Sequence, residues 1–323
     1  MADAVNQGTP MGGSEIILNN LKTALPDLTE KVQIIVSRPQ QVTLDPTKPK
    51  VLWLQDLPGD PNSAPLADAT YRSQFNRIVC VSHWQQQQYN AVLRIPYAEL
   101  SVIKNAVPLN TVSPDQKSIA DGKLRFIYTS TPHRGLAILA AAADALVQER
   151  QDWTLDVYSS LNIYGWHEAD KQFTGLYDQL KANPCVNYHG SVPNAEIRKA
   201  VQRAHVFVYP SIYMETSCMA IQEAMMAGCL AITTNLGALP ETCAEWAWMF
   251  PVDERAEVIA ERTLNHMRTA LDHYGDASIA STLASQTTYY RNFWSFDARL
   301  PEWESLLTQV IAEGPRKPTV SFE

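Results

Sequence analysis

The 323 residues include 26 Lys and Arg against 34 Asp and Glu, a formal net charge of −8, with 46% hydrophobic and 19% charged residues. That apolar share excludes a disordered chain, and the length, about two domains at roughly 150 residues each, excludes a disulfide-stapled miniprotein. The acidic balance, without any block of Lys and Arg, argues against sequence-independent binding to nucleic acid.

The first candidate strands in chain order are Val32–Val36, Val51–Leu54, Ile78–Val81 and Leu100–Ile103, with helical periodicity near Ser14–Leu25 and Trp84–Leu93. A polar segment from Asn110 to Gly122 reads as a linker. A second series follows, with strands at Leu124–Thr129, Thr154–Tyr158, Val186–His189, Val206–Tyr209, Leu230–Thr233 and Trp248–Phe250. Helices are expected between them near Leu136–Gln148, Glu168–Lys181, Ala195–Arg203 and Met219–Met226, and Asp253–Ile311 reads as almost wholly helical. The alternation predicts an α/β chain of two Rossmann-like domains, 1–109 and 123–292, joined by the linker 110–122, with a C-terminal helix and tail, 293–323, packing back on the first domain. A ligand is then expected in a cleft between the two domains, at the carboxyl ends of the strands.

Cys80, Cys185, Cys218, Cys229 and Cys243 are odd in number and widely spaced, mostly within apolar runs, and no Cys-x-x-Cys pair occurs. This suits reduced, packed thiols. The N-terminus has no secretory-signal character, no apolar run approaches 18 residues, and no basic amphipathic helix is evident, so a cytoplasmic protein without membrane association is expected. The histidines form no metal-ligand pattern; His266 and His273 are seven residues apart on one helix.

The richest segment is Val206–Ala224, where a strand ending in Tyr209-Pro210 leads through Glu215, Thr216, Ser217 and Cys218 into a helix containing Glu223. The helix start offers unpaired N–H groups and a positive dipole end, suited to phosphate. Were both residues helical, Glu215 and Glu223, eight residues apart, would stand about 12 Å apart. That exceeds the roughly 5–9.5 Å of a glycosidase carboxyl pair. Two carboxylates flanking a phosphate turn match the layout of a sugar nucleotide; the plain alternative is two surface helix glutamates.

The Glu-x7-Glu arrangement, EAMMAG through Gly228 and GALPET at Gly237–Thr242 resemble the retaining glycosyltransferases of family 4, which have the GT-B fold. The resemblance extends to Gly12-Gly13-Ser14-Glu15, VLWLQD at Val51–Asp56, VSHW, IKNAV, STPHRGL at Ser130–Leu136 and YHGSVP at Tyr188–Pro193. It implies that Glu215 contacts hydroxyls of the transferred sugar and Glu223 the ribose hydroxyls, with the amides of Cys218, Met219 and Ala220 on the diphosphate. Arg134 stands where the family usually has Lys, and would stabilise charge on the leaving group. Gly12 and Gly13 would approach the donor phosphates, and the backbone around Gly190 and Val192 would read the base. Asp56 is the candidate for orienting the acceptor hydroxyl, because Gln55 replaces the family's His. Each also has a simpler reading: an exposed Arg in a loop, a glycine turn, a capping Asp. His189 alone reads as structural.

Two further departures stand out. The family's second cation falls on Thr129, and nothing resembling an opening strand precedes Gly12, so the first domain is trimmed. The expectation is a metal-independent, cofactor-free retaining transferase. It would use a nucleoside diphosphate sugar and a hydroxyl acceptor that is a glycan, a lipid-linked group or a small molecule. The alternatives are a sugar-nucleotide epimerase or hydrolase of the same fold, and an inactive sugar-nucleotide binding protein.

Overall fold

The computed structural model describes residues 12–109, 117, 119 and 121–316. Most of the expected linker, and the two chain ends, lie outside the described residues. The chain divides into two units. Gly13–Val107 and the chain from Trp294 onward form the first, and Pro108–Phe293 lies in the second.

The first unit is built on β1 (Gln33–Val36), β2 (Lys50–Trp53), β3 (Arg77–Cys80) and β4 (Leu100–Val102). All are parallel and lie side by side in chain order, with Ile34 opposite Val51 and Ile78 opposite Leu100. Leu52 and Val79, on the inner strands, are fully buried, as β-branched and aliphatic side chains of a sheet covered on both faces must be. The helix Gly13–Ala24 buries Ile17 and Leu21, four residues apart on one stripe. The helix His83–Leu93 starts on a variant of the capping box: Ser82 Oγ accepts from Gln85 N (3.0 Å), and Gln85 Oε1 accepts from Val81 N (2.8 Å). The core holds Leu52, Leu54, Phe75, Ile78 and Tyr89. The C-terminal helix Phe296–Glu313 belongs to this unit: Trp303 packs on Trp53 with ring centroids 4.4 Å apart, and Val107 N donates to Trp294 O (3.0 Å).

The second unit contains β5 (Leu124–Thr129), β6 (Trp153–Tyr158), β7 (Val186–Tyr188), β8 (Val206–Tyr209), β9 (Leu230–Thr234) and β10 (Trp248–Phe250). Their order across the sheet is β10-β9-β8-β5-β6-β7, all parallel. The chain moves from β5 outward to β7, then returns to lay β8 on the other side of β5. This is the doubly wound order, and it creates a reversal between β5 and β8, the place where open sheets of this kind bind their ligands. The helix Leu136–Val147 is apolar nearly all round and buries eight residues.

The single helix expected over Glu168–Lys181 is broken. Short turns at His167–Asp170 and Lys171–Phe173 precede the helix Thr174–Ala182. The cause is Asp170, whose buried carboxylate accepts from Ser160 Oγ (2.9 Å), Leu161 N (2.6 Å) and Tyr177 OH (2.7 Å), tying the chain after β6 inward. All five cysteines are unpaired and buried. Among the described residues no helix is long and apolar enough to cross a membrane.

Candidate functional site

The two loops at the reversal carry the strongest sequence candidates. After β5 the chain makes a 3-10 turn at Pro132–Arg134, braced by Tyr128 OH donating to Thr131 O (2.9 Å), and leaves through Gly135 at φ +119°. A Cβ on Gly135 would lie 2.2 Å from Pro210 O, so the loop can press against the end of β8 only because that residue is glycine. The loop after β8 is stapled by Thr233 Oγ1 to Tyr209 O and Thr234 Oγ1 to Ser211 O, both 2.7 Å. Gly237, at φ +64°, serves the same purpose on the far side: a Cβ there would stand 2.6 and 2.7 Å from the backbone O and N of Glu215. Ala238 N then donates to Glu215 O (2.7 Å). The motifs that contain these glycines were legible in the sequence; their task of pinning Arg134 and Glu215 was not.

Arg134 and Glu215 meet. Arg134 Nη1 donates to Glu215 Oε1 at 2.9 Å, and Tyr209 OH donates to the same oxygen. Glu215 is 3% exposed. Its Oε2 takes no hydrogen bond among the described residues. The Arg134 guanidinium lies 4.4 Å from the centre of the Tyr213 ring, a cation–π contact, and its buried Nε has no hydrogen-bond partner. Burial works against the charge on Arg134, but Glu215, and after it Tyr209 and Tyr164, hold its pKa well above the ordinary value. The cation is therefore permanent and partly unsatisfied, the condition of a group awaiting an anion.

Three residues beyond Glu215, Cys218 caps the helix Met219–Met226 in an extended conformation without a side-chain hydrogen bond. Its thiol is pushed well up, first by burial and then by Glu215, so it stays protonated and is no nucleophile. Ser217 Oγ accepts from Gln222 Nε2 (3.1 Å). Met219 and Ala220, partly exposed, form the first turn of the helix. Glu223 lies in its second turn, where the surrounding protein pushes the carboxyl up to about 7, opposed by Arg198. Glu215, by contrast, sits in the loop before the helix, so the helical spacing of two helical glutamates does not describe this pair.

The remaining candidates are spread more widely. Gly190, at φ +69°, and half-buried Val192 follow β7, at the same end of the sheet but two strands from β5. His189 is held structurally, 2.8 Å from Asp156 and stacked on Tyr158 at 4.4 Å. Asp56 belongs to the first unit, just past β2. Burial raises its pKa, against a hydrogen bond from Ser37 and the charge of Arg38 3.9 Å away. Its backbone O accepts from Gln85 Nε2 (2.9 Å) and Tyr89 OH (3.1 Å). Gln55 exchanges amide hydrogen bonds with Asn105. Gly13 opens the first helix, and buried Gly12 precedes it. Sequence reasoning missed Tyr209 and Tyr213, which carry no motif signal beyond their place beside Glu215. Among the described residues no group of three or more His, Cys, Asp or Glu side chains is placed to hold a metal ion.

Comparison with known proteins bears on this geometry. Residues 124–268 match the family model described as Glycosyl transferases group 1. A human phosphatidylinositol N-acetylglucosaminyltransferase subunit is 27% identical over 175 residues, 53% of this chain and 34% of that protein. The chain spans between 34% and 43% of the length of the curated relatives it matches. A glycosyltransferase from Rickettsia africae superposes with a TM-score of 0.66 at 15% identity, covering 96% of this chain and 83% of its own. Anabaena HepE, solved in complex with UDP and glucose, gives 0.66 at 16% identity, covering 91% and 82%. With its two parallel sheets and C-terminal helices, the chain has the GT-B fold of these glycosyltransferases.

Proposed function

We propose that the chain transfers a sugar from a nucleoside diphosphate sugar to a hydroxyl acceptor with retention of anomeric configuration, as a family 4 enzyme. The observation that carries the reading is the Arg134–Glu215 pair at the strand reversal, with Arg134 Nε unpaired and, three residues past Glu215, a helix start whose cap residue makes no side-chain hydrogen bond. In this reading the diphosphate takes the Arg134 edge and the amides of Cys218, Met219 and Ala220, while Glu215 accepts a hydroxyl of the sugar and Glu223 those of the ribose. The backbone at Gly190 and Val192 faces the base, Gly12 and Gly13 approach the phosphates, and Asp56 orients the acceptor.

The acceptor oxygen bonds to the anomeric carbon as the bond from that carbon to the phosphate oxygen breaks. The electron pair leaves with the nucleoside diphosphate, whose phosphate oxygen takes the acceptor proton. Arg134 and the helix dipole stabilise the departing charge, the task a metal ion performs elsewhere, so activity should survive a chelator. Five buried thiols suit a reducing compartment such as the cytoplasm.

Support for a uridine donor comes from HepE, solved with UDP and glucose. A thermal-shift screen with UDP, GDP and ADP tests the reading: a ligand at 100 times its Kd adds about 2.7 kcal/mol. Glu215→Gln should abolish turnover while leaving nucleotide affinity within about threefold. Retained turnover in that variant refutes the role, and product analysis with donor alone separates a transferase from an epimerase or hydrolase.

A further inference from the structure

Tyr209 is the last residue of β8 and is fully buried. Its ring lies between Tyr128 and Phe207, at centroid distances of 5.8 and 5.9 Å. Its carbonyl is held by Thr233 Oγ1. The phenol therefore has little freedom, and it points at Glu215. Burial and the neighbouring Glu215 keep its pKa well above the ordinary value, so the hydroxyl remains a donor throughout the physiological range.

Two donors, Tyr209 OH and Arg134 Nη1, converge on one oxygen of Glu215. Two fixed directions on Oε1 set the plane of the carboxylate, and Oε2 is left as the acceptor. We propose that Tyr209 is a positioning residue: its phenol orients Glu215 so that Oε2 receives a hydroxyl of the donor sugar while the exposed part of Arg134 is left for the diphosphate. This rests on the transferase reading above, but its geometric half does not depend on turnover. A phenylalanine at 209 would fill the same space. The hydroxyl is thus needed for direction, not for packing.

The test is Tyr209→Phe, assayed by release of nucleotide from UDP-glucose, UDP-N-acetylglucosamine and GDP-mannose, with calorimetry on UDP and GDP. For whichever donor the parent protein turns over, kcat should fall at least about tenfold, with nucleotide Kd within about threefold. Replacing Tyr209 by 4-aminophenylalanine, which restores an N–H donor, should recover turnover and also covers the case in which the Phe variant fails to fold. A kcat within about twofold of the parent overturns the proposal.

A crystal structure of Tyr209→Phe gives the second readout. The Glu215 carboxylate should turn or split into two orientations; a carboxylate unmoved from its parent position overturns the proposal. If the parent protein turns over none of the three donors, the transferase reading fails, and the crystal comparison still decides whether Tyr209 positions Glu215.

Discussion

The two units use the same material, parallel strands with helical crossovers, and differ in one topological respect. In the first, β1 to β4 lie side by side in chain order; in the second, the order reverses between β5 and β8. Where strands simply follow one another, the backbone after β2 is closed by its own neighbours, with Asp56 O receiving both Gln85 and Tyr89, while Asp56 Oδ2 is buried without a hydrogen bond. Where the order reverses, the loops after β5 and β8 bring Arg134 and Glu215 together, and these side chains remain incompletely satisfied at Arg134 Nε and Glu215 Oε2. Unsatisfied charge in a rigid frame is the raw material of a site, and at the reversal a cation and a carboxylate supply it as a pair.

The strongest way to break this contrast is to remove the cation. Arg134→Ala should lower donor turnover by about 10²–10³-fold, the range for losing a charge-stabilising group, measured as nucleotide release at saturating donor. A loss under about fivefold would mean that the reversal is not where the charge is handled.

Next is backbone strain. Gly237→Ala should cost about 1–3 kcal/mol in urea unfolding, since φ +64° and the Glu215 backbone 2.6 Å away both oppose a methyl group. In the first unit, a Cβ on Gly59 would meet nothing within 4 Å. Gly59→Ala should therefore stay within about 0.5 kcal/mol. Equal costs would mean that the glycines do not separate the two regions.

A smaller effect concerns pH. The carboxyl of Glu223 is raised from 4.5 to about 7, so between those values the native state keeps a proton that the unfolded chain has released. Stability should accordingly fall as pH rises through that window and level off above it, and Glu223→Gln should remove the slope in a Tm series from pH 5 to 8. If the carboxylate form accepts ribose hydroxyls, UDP-glucose, whose diphosphate charge is constant over this range, should bind several-fold tighter at pH 8 than at pH 6. A flat affinity would remove Glu223 from the nucleotide site.

The least effect is expected in the first unit. Asp56→Asn should slow transfer to an acceptor by less than about tenfold and leave hydrolysis of donor alone unchanged. A loss of donor hydrolysis would show that Asp56 acts on the donor as well.

Sequence periodicity located the strands of both units to within a residue at each end, because buried parallel strands are short, almost wholly apolar runs between polar turns. The order of strands was not legible, since periodicity records which face is buried and says nothing of which strand lies alongside. The helix expected over Glu168–Lys181 failed where a polar residue turned inward: Asp170 looks like any surface acid until its three donors are in place. Arg134 and Glu215 stood out through the motifs around them. Their direct contact, and the hydroxyl of Tyr209 that completes it, depend on two glycine approaches visible only in three dimensions.

The return of the helix Phe296–Glu313 to the first unit makes the second unit an insertion within the first. On a ribosome, Trp53 is made long before Trp303, the ring that covers it, and the whole second unit emerges in between. The inserted unit can mature while its host is still waiting, which leaves the earlier half of the polypeptide exposed to proteases and chaperones for longest during synthesis.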